Sequence, residues 1–205
     1  FTGGEPLLRE DISELTRYAK NECEISEVHL TTNGILLNKY LDQLSKAGLS
    51  GINISLDSLK SERFKKITRR DKLQQVLDNI TLAQHSTIPS LKINVVFMRG
   101  FNDDELLDFV EFTRSNHITV RFIELMPFDA HQIWKTGKFY KSEDIVNDLK
   151  DKVKGLHPIN GSNTEHYIFQ VDGYLGKIAI IPSYSRHLCI NCNRIRITAD
   201  GSIRN

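Results

Sequence analysis

The sequence is poor in the features that mark secreted and membrane-spanning proteins. Its 205 residues include only three cysteines, too few for a secreted fold held together by disulfides. It opens with no signal peptide and contains no run of about 18 apolar residues, the length that a membrane-spanning helix needs. We therefore expect a cytoplasmic protein without a membrane partner.

An excess of one charge sign is also lacking. The 27 lysines and arginines balance 26 aspartates and glutamates, which leaves a net charge of +1. This balance excludes a generally basic protein that binds nucleic acid, although it allows a local anion site. With 40% hydrophobic and 26% charged residues, the composition is that of a folded globular chain, and the length predicts one domain with an appendage.

Short apolar segments alternate with longer amphipathic segments up to residue 127. Strands are predicted at residues 28–32, 51–55, 92–97 and 119–125. Helices are predicted at residues 10–23, 38–47, 72–85 and 103–116. This alternation indicates βα units around a parallel sheet, with Phe1-Thr2 as the end of one more strand.

One face of these strands is polar, because side chains alternate along a strand with a period of two. The polar set comprises His29, Thr31, Asn33, Asn53, Ser55, Asp57, Lys92 and Asn94. Two interpretations stay open: a sheet with one solvated face, or a barrel whose lumen is an open polar site. The long helices between the strands favour the barrel, since they would cover its outer face.

The pattern changes after Pro127. One amphipathic helix is predicted near residues 143–150, and residues 165–171 and 177–181 alternate around Asp172-Gly173 as a β-hairpin. We therefore divide the chain into a βα domain, residues 1–127, and a smaller α+β region, residues 128–205.

Two short motifs could carry chemistry. In Thr2-Gly3-Gly4-Glu5-Pro6, two glycines at a strand end would let a ligand approach the backbone, although an ordinary βα turn also explains the pair. Cys189 and Cys192 have the spacing of ligands to zinc or to an iron–sulfur cluster, with two inert cysteines as the alternative. Such a site needs further ligands, and we interpret Cys23, on a predicted helix, as structural.

Two arginines follow the cysteine pair. On a strand, Arg194, Arg196 and Thr198 share one face. Beside a metal site, two guanidinium groups would bind an anion such as phosphate, whereas without one a solvated face is the simpler explanation.

Together these motifs resemble one family. Thr2-Gly3-Gly4-Glu5-Pro6 is similar to the GGEP motif of radical S-adenosylmethionine (SAM) enzymes. Cys189-x-x-Cys192-Asn193-Arg194-x-Arg196, followed by Asp200-Gly201, resembles the C-terminal signature of the molybdenum cofactor biosynthesis protein A family, the GTP 3′,8-cyclases. The resemblance implies a partial (β/α)6 radical SAM barrel followed by a small α+β region that carries part of an iron–sulfur site.

The resemblance also implies a set of site residues, although it names no catalytic side chain. Gly4, Ser55 and Met126 would line the SAM site. Thr31, Lys92, Arg194, Ile195 and Arg196 would contact GTP. Cys189 and Cys192 would be two of the three ligands to an auxiliary [4Fe-4S] cluster.

This sequence also departs from the family pattern. The Cys-x3-Cys-x2-Cys loop that binds the SAM-cleaving [4Fe-4S] cluster is absent, and we expect it N-terminal to Phe1. We expect the third auxiliary-cluster cysteine directly after Asn205, where the chain returns from the Asp200-Gly201 turn. The chain is thus interpreted as a fragment of a protein with two clusters.

The implied activity is the conversion of GTP to 3′,8-cyclo-7,8-dihydroguanosine 5′-triphosphate by a SAM-derived 5′-deoxyadenosyl radical, the first step of molybdenum cofactor biosynthesis. The implied partners are GTP, SAM, an electron donor, a downstream cyclic pyranopterin monophosphate synthase and a second copy in a homodimer. Two alternatives stay open: a radical SAM enzyme that modifies peptides with an auxiliary cluster, and a zinc-binding module that is not an enzyme.

Overall fold

A computed structural model describes residues 1–126, 137–160, 167–185 and 195–204. Its α-helices are α1 Ile12–Asn21, α2 Leu37–Lys46, α3 Ser61–Thr68, α4 Leu73–Gln84, α5 Leu106–Glu111 and α6 Ser142–Lys152. Its strands are β1 His29–Thr32, β2 Gly51–Ser55, β3 Ser90–Phe97, β4 Thr119–Glu124, β5 Leu156–Ile159, β6 Tyr167–Val171, β7 Lys177–Ile181, β8 Arg196–Ile197 and β9 Ile203–Arg204. Short 3-10 helices cover Pro6–Leu8 and Asp103–Glu105.

In the part of the chain that the structure describes, seven strands form one sheet in the order β1-β2-β3-β4-β7-β6-β5. The pairs from β1 to β4 are parallel, as the βα alternation predicts. Phe1 extends this ladder, because its N–H group donates to the carbonyl of His29 and its own carbonyl accepts from the N–H of Thr31 at 2.9 Å. The predicted end of one more strand therefore lies beside β1, and the architecture is a partial α/β barrel.

The C-terminal hairpin does not form a separate layer. As predicted, β6 and β7 pair in antiparallel fashion, but β7 also pairs in parallel with β4. Ile178 and Ile180 are fully buried, so β7 gains a central position in the sheet through its apolar side chains. The division at residue 127 stays a prediction, and it falls between two segments that contribute to the same sheet.

Three elements differ from the sequence prediction. Helix α3 and strand β5 were not predicted: α3 has a single buried side chain, Phe64, and β5 is an edge strand interrupted by Pro158. The helix predicted at 103–116 begins as a 3-10 helix and its α-helical part ends at Glu111. Beyond it the N–H groups of Thr113 and Arg114 bond to carbonyls three residues back, which tightens the chain into turns.

The core lies between the sheet and the helices. Buried apolar residues alternate along each strand of the parallel part: Leu30, Ile52, Ile54, Leu91, Ile93, Val95, Phe97, Val120 and Phe122. They pack against apolar helix residues that include Leu44, Val76, Ile80 and Phe109. The helices thus cover one face, as the barrel interpretation requires, and leave the opposite, half-buried polar face to form the lumen.

Candidate functional site

A row of polar residues crosses the lumen face of the parallel strands. Strand register aligns Thr31 with Asn53, Asn53 with Lys92, and Lys92 with Thr119. We call these four residues the lumen row. All four are half-buried, and the amide nitrogen of Asn53 donates to the hydroxyl of Thr31 at 3.2 Å. The row brings together Thr31 and Lys92, the two lumen positions that the resemblance assigned to GTP.

Arg121 is a lumen residue that the sequence reasoning did not select. Its Nε donates to the amide oxygen of Asn94 at 2.8 Å, and its terminal nitrogen donates to that of Asn53 at 2.7 Å. One guanidinium thus connects β4 with β3 and β2, and it adds a second cation to the lumen beside Lys92. The period-two alternation of β4, which places Arg121 opposite buried Val120 and Phe122, was the signal that could have found it.

The Gly3-Gly4 loop lies at the carboxyl end of β1. The carboxylate of Glu5 holds it there, accepting from the hydroxyl of Thr32 at 2.6 Å and from the N–H of Asn33 at 2.8 Å. Gly3 has a φ of 121°, which only glycine adopts readily, and a Cβ built on Gly3 or Gly4 would meet no atom within 4 Å. Exposed amides and carbonyls can bind an ammonium and a carboxylate group, and the contact of Gly4 with the methionyl group of SAM remains a prediction.

The other two positions predicted for SAM also lie at strand ends. Ser55 is the exposed last residue of β2, and Met126 is half-buried just beyond the end of β4. Ser55 ends β2, and the Gly3-Gly4 loop follows the Phe1-Thr2 segment that pairs with β1. Both therefore lie at the carboxyl edge of the parallel sheet, on either side of β1. Their roles in binding SAM remain predictions.

Asp57 lies at the same edge, between β2 and β3. Its carboxylate accepts from the N–H of Val96 at 2.8 Å, and its backbone carbonyl accepts from Asn102 at 2.7 Å. Burial raises the pKa of Asp57, and the hydrogen bond from Val96 offsets only part of that effect. The rim of the lumen thus carries a carboxyl group that takes up a proton more readily than an ordinary aspartate.

The C-terminal motif is described only in part. Cys189, Cys192 and Arg194 lie outside the described residues. Arg196 is exposed in β8, where it is paired with Arg204 of β9, and Ile195 is 67% exposed just before this strand. The predicted return at Asp200-Gly201 is confirmed: Gly201 has a φ of 81°, and the N–H of Thr198 donates to the carbonyl of Ser202 at 2.9 Å.

Comparison with known proteins identifies the class. The family model of the radical SAM superfamily matches residues 1–113, and the model for Molybdenum Cofactor Synthesis C matches residues 118–205. The chain belongs to the radical SAM superfamily, whose members use SAM and a [4Fe-4S] cluster. In the described parts of the chain, no helix is both long and apolar enough to cross a membrane.

Individual relatives narrow this class. The chain is 50% identical to a GTP 3′,8-cyclase of Chlorobaculum tepidum, over 99% of this chain and 62% of the relative. It is 41% identical to a GTP 3′,8-cyclase of Lactiplantibacillus plantarum, over 100% of this chain and 62% of the relative. It is 42% identical to molybdenum cofactor biosynthesis protein 1 of Drosophila melanogaster, over 100% of this chain and 36% of the relative. The family resemblance is confirmed, and the chain spans only part of each of these relatives.

A solved structure supports the fold. The structure of TYW1 with a lysine–pyruvate adduct bound matches 84% of this chain and 55% of that chain, with a TM-score of 0.58. Because the identity is only 19%, this match bears on the fold alone.

Proposed function

We propose that this chain forms the central part of a GTP 3′,8-cyclase, which converts GTP to 3′,8-cyclo-7,8-dihydroguanosine 5′-triphosphate in molybdenum cofactor biosynthesis. The observation that carries the proposal is a polar lumen with two cations, Lys92 and Arg121, next to an open Gly3-Gly4 backbone. Such a lumen suits a polyanionic substrate, and the 50% identity to a cyclase supports GTP as that substrate.

The proposed SAM site uses the carboxyl edge of the sheet. The backbone of Gly4 would bind the methionyl group, with Ser55 and Met126 lining the rest of the site. When bound together at this edge, SAM and a reduced [4Fe-4S] cluster would supply the radical chemistry that removes hydrogen from the ribose of GTP. The chain's own part is to hold the Gly3-Gly4 loop rigidly, through Glu5, Thr32 and Asn33.

The proposed GTP site uses the lumen and the C-terminal motif. Thr31 and Lys92 would bind the nucleotide from the lumen row, and Arg194, Ile195 and Arg196 would bind it from the C-terminal side. Cys189 and Cys192 would hold an auxiliary [4Fe-4S] cluster, the second of two in the intact protein, beside the base. Binding from two sides would orient the ribose and shield it from solvent, which limits side reactions of a reactive intermediate.

The remaining partners follow from the same proposal. An electron donor would reduce the cluster, and a cyclic pyranopterin monophosphate synthase would take the product. A homodimer and a cytoplasmic location complete the proposal.

The test is an anaerobic assay of the full-length gene product with GTP, SAM and reductant. With GTP, we expect 5′-deoxyadenosine and the cyclised nucleotide to form in equal amounts. With guanosine in place of GTP, we expect no cyclised product. SAM cleavage stimulated by a peptide but not by GTP would favour a peptide-modifying enzyme instead. Zinc in place of iron and labile sulfide would favour a zinc-binding module that is not an enzyme.

A further inference from the structure

Positive charge is concentrated in residues 60–72, which contain helix α3 and which we call the basic segment. Seven of the 27 lysines and arginines lie here, with only two of the 26 aspartates and glutamates. The other 192 residues therefore carry 20 cationic and 24 acidic side chains, and they are net acidic. A chain with a net charge of only +1 thus has a local positive field at one segment.

Carboxylates of the fold neutralise part of this charge. Asp104 accepts from Lys60 at 2.6 Å and from Arg63 at 2.7 Å, and Lys65 pairs with Asp71 at 3.0 Å. Four further cations are exposed and form no ion pair with another described residue: Lys66, Arg69, Arg70 and Lys72. These four leave the basic segment with an excess of positive charge that faces solvent.

Arg69 occupies a position where a helix usually ends in glycine. It follows the last residue of α3 with φ 58° and ψ 26°, a left-handed conformation that is unfavourable for a residue with a Cβ atom. Its side chain is exposed, and no ion pair within the described parts of the chain explains an arginine here. Ile67, two residues earlier, is 36% exposed and adds an apolar side chain. Arginine together with exposed apolar surface is typical of protein interfaces.

Hydrogen bonds place the basic segment at the carboxyl edge of the sheet. Just before its start, the N–H of Leu59 donates to Glu105 at 2.6 Å, which holds the loop after β2 to the segment after β3. Just after its end, the side chain of Gln75 in α4 donates at 2.9 Å to the carbonyl of Ile35, three residues beyond β1. Both anchors follow the carboxyl ends of parallel strands, so the basic segment lies along the edge that carries the proposed SAM site.

We propose that the basic segment is the surface on which the electron donor docks, and that this donor is a small acidic protein with a one-electron cofactor. The inference rests on the proposed function, because that reaction consumes electrons at the same edge of the sheet. In each encounter the reduced donor loses one electron and the enzyme gains it, with no bond made or broken. The donor must then leave, which requires a complex that forms quickly and is weak.

Charge complementarity decides which partner fits. Opposite charges speed the encounter and orient the partner, and a compact acidic protein can contact the basic segment alone. Weak electron-transfer complexes bury less than about 1,200 Å² in total, an area that one short helix and its flanking turns can supply. A nucleic acid is an extended polyanion, so it would also meet the net acidic remainder of the chain.

The first test measures binding directly. Oxidised flavodoxin, a small acidic flavin protein, is titrated calorimetrically into the full-length protein purified without oxygen. Arg69→Glu combined with Arg70→Glu should weaken binding by about 10- to 100-fold, because it places like charges across the interface. Raising the salt concentration from about 20 mM to about 200 mM should weaken binding to the unaltered protein by roughly 10-fold, because salt screens exposed charges.

Lys154→Glu combined with Lys177→Glu is the matched control. It makes the same change in net charge at two exposed lysines. These lysines lie near the starts of β5 and β7, which run in the same direction as β4, so they are at the amino edge of the sheet. Flavodoxin binding should stay unchanged in this control.

Arg69→Gly separates binding from folding. Glycine adopts the left-handed conformation readily, so the melting temperature should stay the same or rise. Loss of one guanidinium should nevertheless weaken flavodoxin binding by about three- to ten-fold. A variant that folds at least as well and binds less well is not explained by a structural role of Arg69.

Activity with two reductants distinguishes this inference from the proposed function. Dithionite needs no docking surface, so in the presence of GTP the Arg69 and Arg70 double variant should cleave SAM at the unaltered rate with dithionite and more slowly with reduced flavodoxin. No reaction of the unaltered protein with dithionite would refute the proposed function. No measurable binding of flavodoxin, equal effects of the two double variants, or tighter binding of duplex DNA through the same arginines would overturn the inference.

Discussion

At the scale of single residues, the candidate site is distinguished by its charged side chains and by how far each of them is buried. Lys92 and Arg121 bring positive charge into a half-buried lumen, and Asp57 lies at its rim with a raised pKa. Arg196 is exposed in the short β8–β9 hairpin. Arg196, Asp57 and Arg121 lie in different surroundings, and each leads to a different measurable prediction.

Arg196→Ala in the full-length protein should weaken GTP binding far more than SAM binding. A guanidinium that donates charge-assisted hydrogen bonds to phosphate contributes about 1.5–3 kcal/mol, so guanosine, which lacks phosphates, should lose much less. Titration of each ligand measures the effect. Arg17→Ala, which removes an exposed arginine of α1, is the matched control. Equal losses for GTP and guanosine would show that Arg196 does not bind the triphosphate.

Asp57→Asn should raise the free energy of unfolding at neutral pH, by roughly 1 kcal/mol or less. Because burial raises the pKa of Asp57 in the folded state, its contribution to stability is largest at low pH and is lost as the pH rises through that raised pKa. Asparagine has no charge to desolvate and can still accept from Val96. Urea unfolding from pH 4 to pH 8 should show the variant's advantage shrinking as the pH falls, and a constant difference would contradict this account.

At the scale of secondary-structure elements, hydrogen bonds between strands and loops hold the site in place. Glu5 ties the Gly3-Gly4 loop to the end of β1, and Arg121 connects three strands across the lumen. Helix α4 contributes as well, since its Asn79 donates to the carbonyl of Gly34 at 2.7 Å and so holds the turn after β1. The polar lumen is thus connected to the surrounding strands and loops by hydrogen bonds from several elements.

Arg121→Met should lower the free energy of unfolding by about 1–3 kcal/mol. Methionine fills a similar volume but leaves the amide oxygens of Asn53 and Asn94 without this donor. Thermal and urea unfolding of the full-length protein measure the loss. Arg114→Met removes an exposed arginine paired with Glu111, and it should cost less than about 1 kcal/mol. If both variants lose the same amount, the lumen bonds contribute no more than a surface ion pair.

At the scale of the whole molecule, the chain matches both family models, but its sequence lacks the three-cysteine motif of radical SAM enzymes. It spans 62% of the length of the Chlorobaculum tepidum cyclase, and its three cysteines do not include a Cys-x3-Cys-x2-Cys motif. Within the chain, the sheet runs unbroken from β1 to β5 across the two matched regions. The two regions therefore share one framework.

The 205-residue chain by itself should not cleave SAM. The three-cysteine motif that would hold the SAM-cleaving cluster is absent from the sequence, so no electron can reach SAM. Incubation with SAM and dithionite, followed by chromatography for 5′-deoxyadenosine, tests this, with the full-length protein as the positive control. Formation of 5′-deoxyadenosine above the protein-free background would refute the prediction.

Local patterns in the sequence were sufficient to predict most of the strands and helices. Alternation with period two located β1 to β4, their polar face and the β6–β7 hairpin, because each pattern depends only on which side chains are apolar. Helix α3 escaped prediction because it buries one residue only, and β5 because its proline is tolerated at a sheet edge. The GGEP and CxxCNRxR motifs indicated the family, which the comparisons confirmed.

What the sequence by itself determined, then, is the set of elements, the polar face and the motifs, all of which are properties of neighbouring residues. Only the tertiary structure decided which distant residues meet. Strand register brings Arg121 to Asn53 and Asn94, β7 joins β4, and Glu124 reaches Tyr184 and Ser185. These contacts depend on burial and pairing between segments far apart in the chain, and no local pattern encodes such pairings.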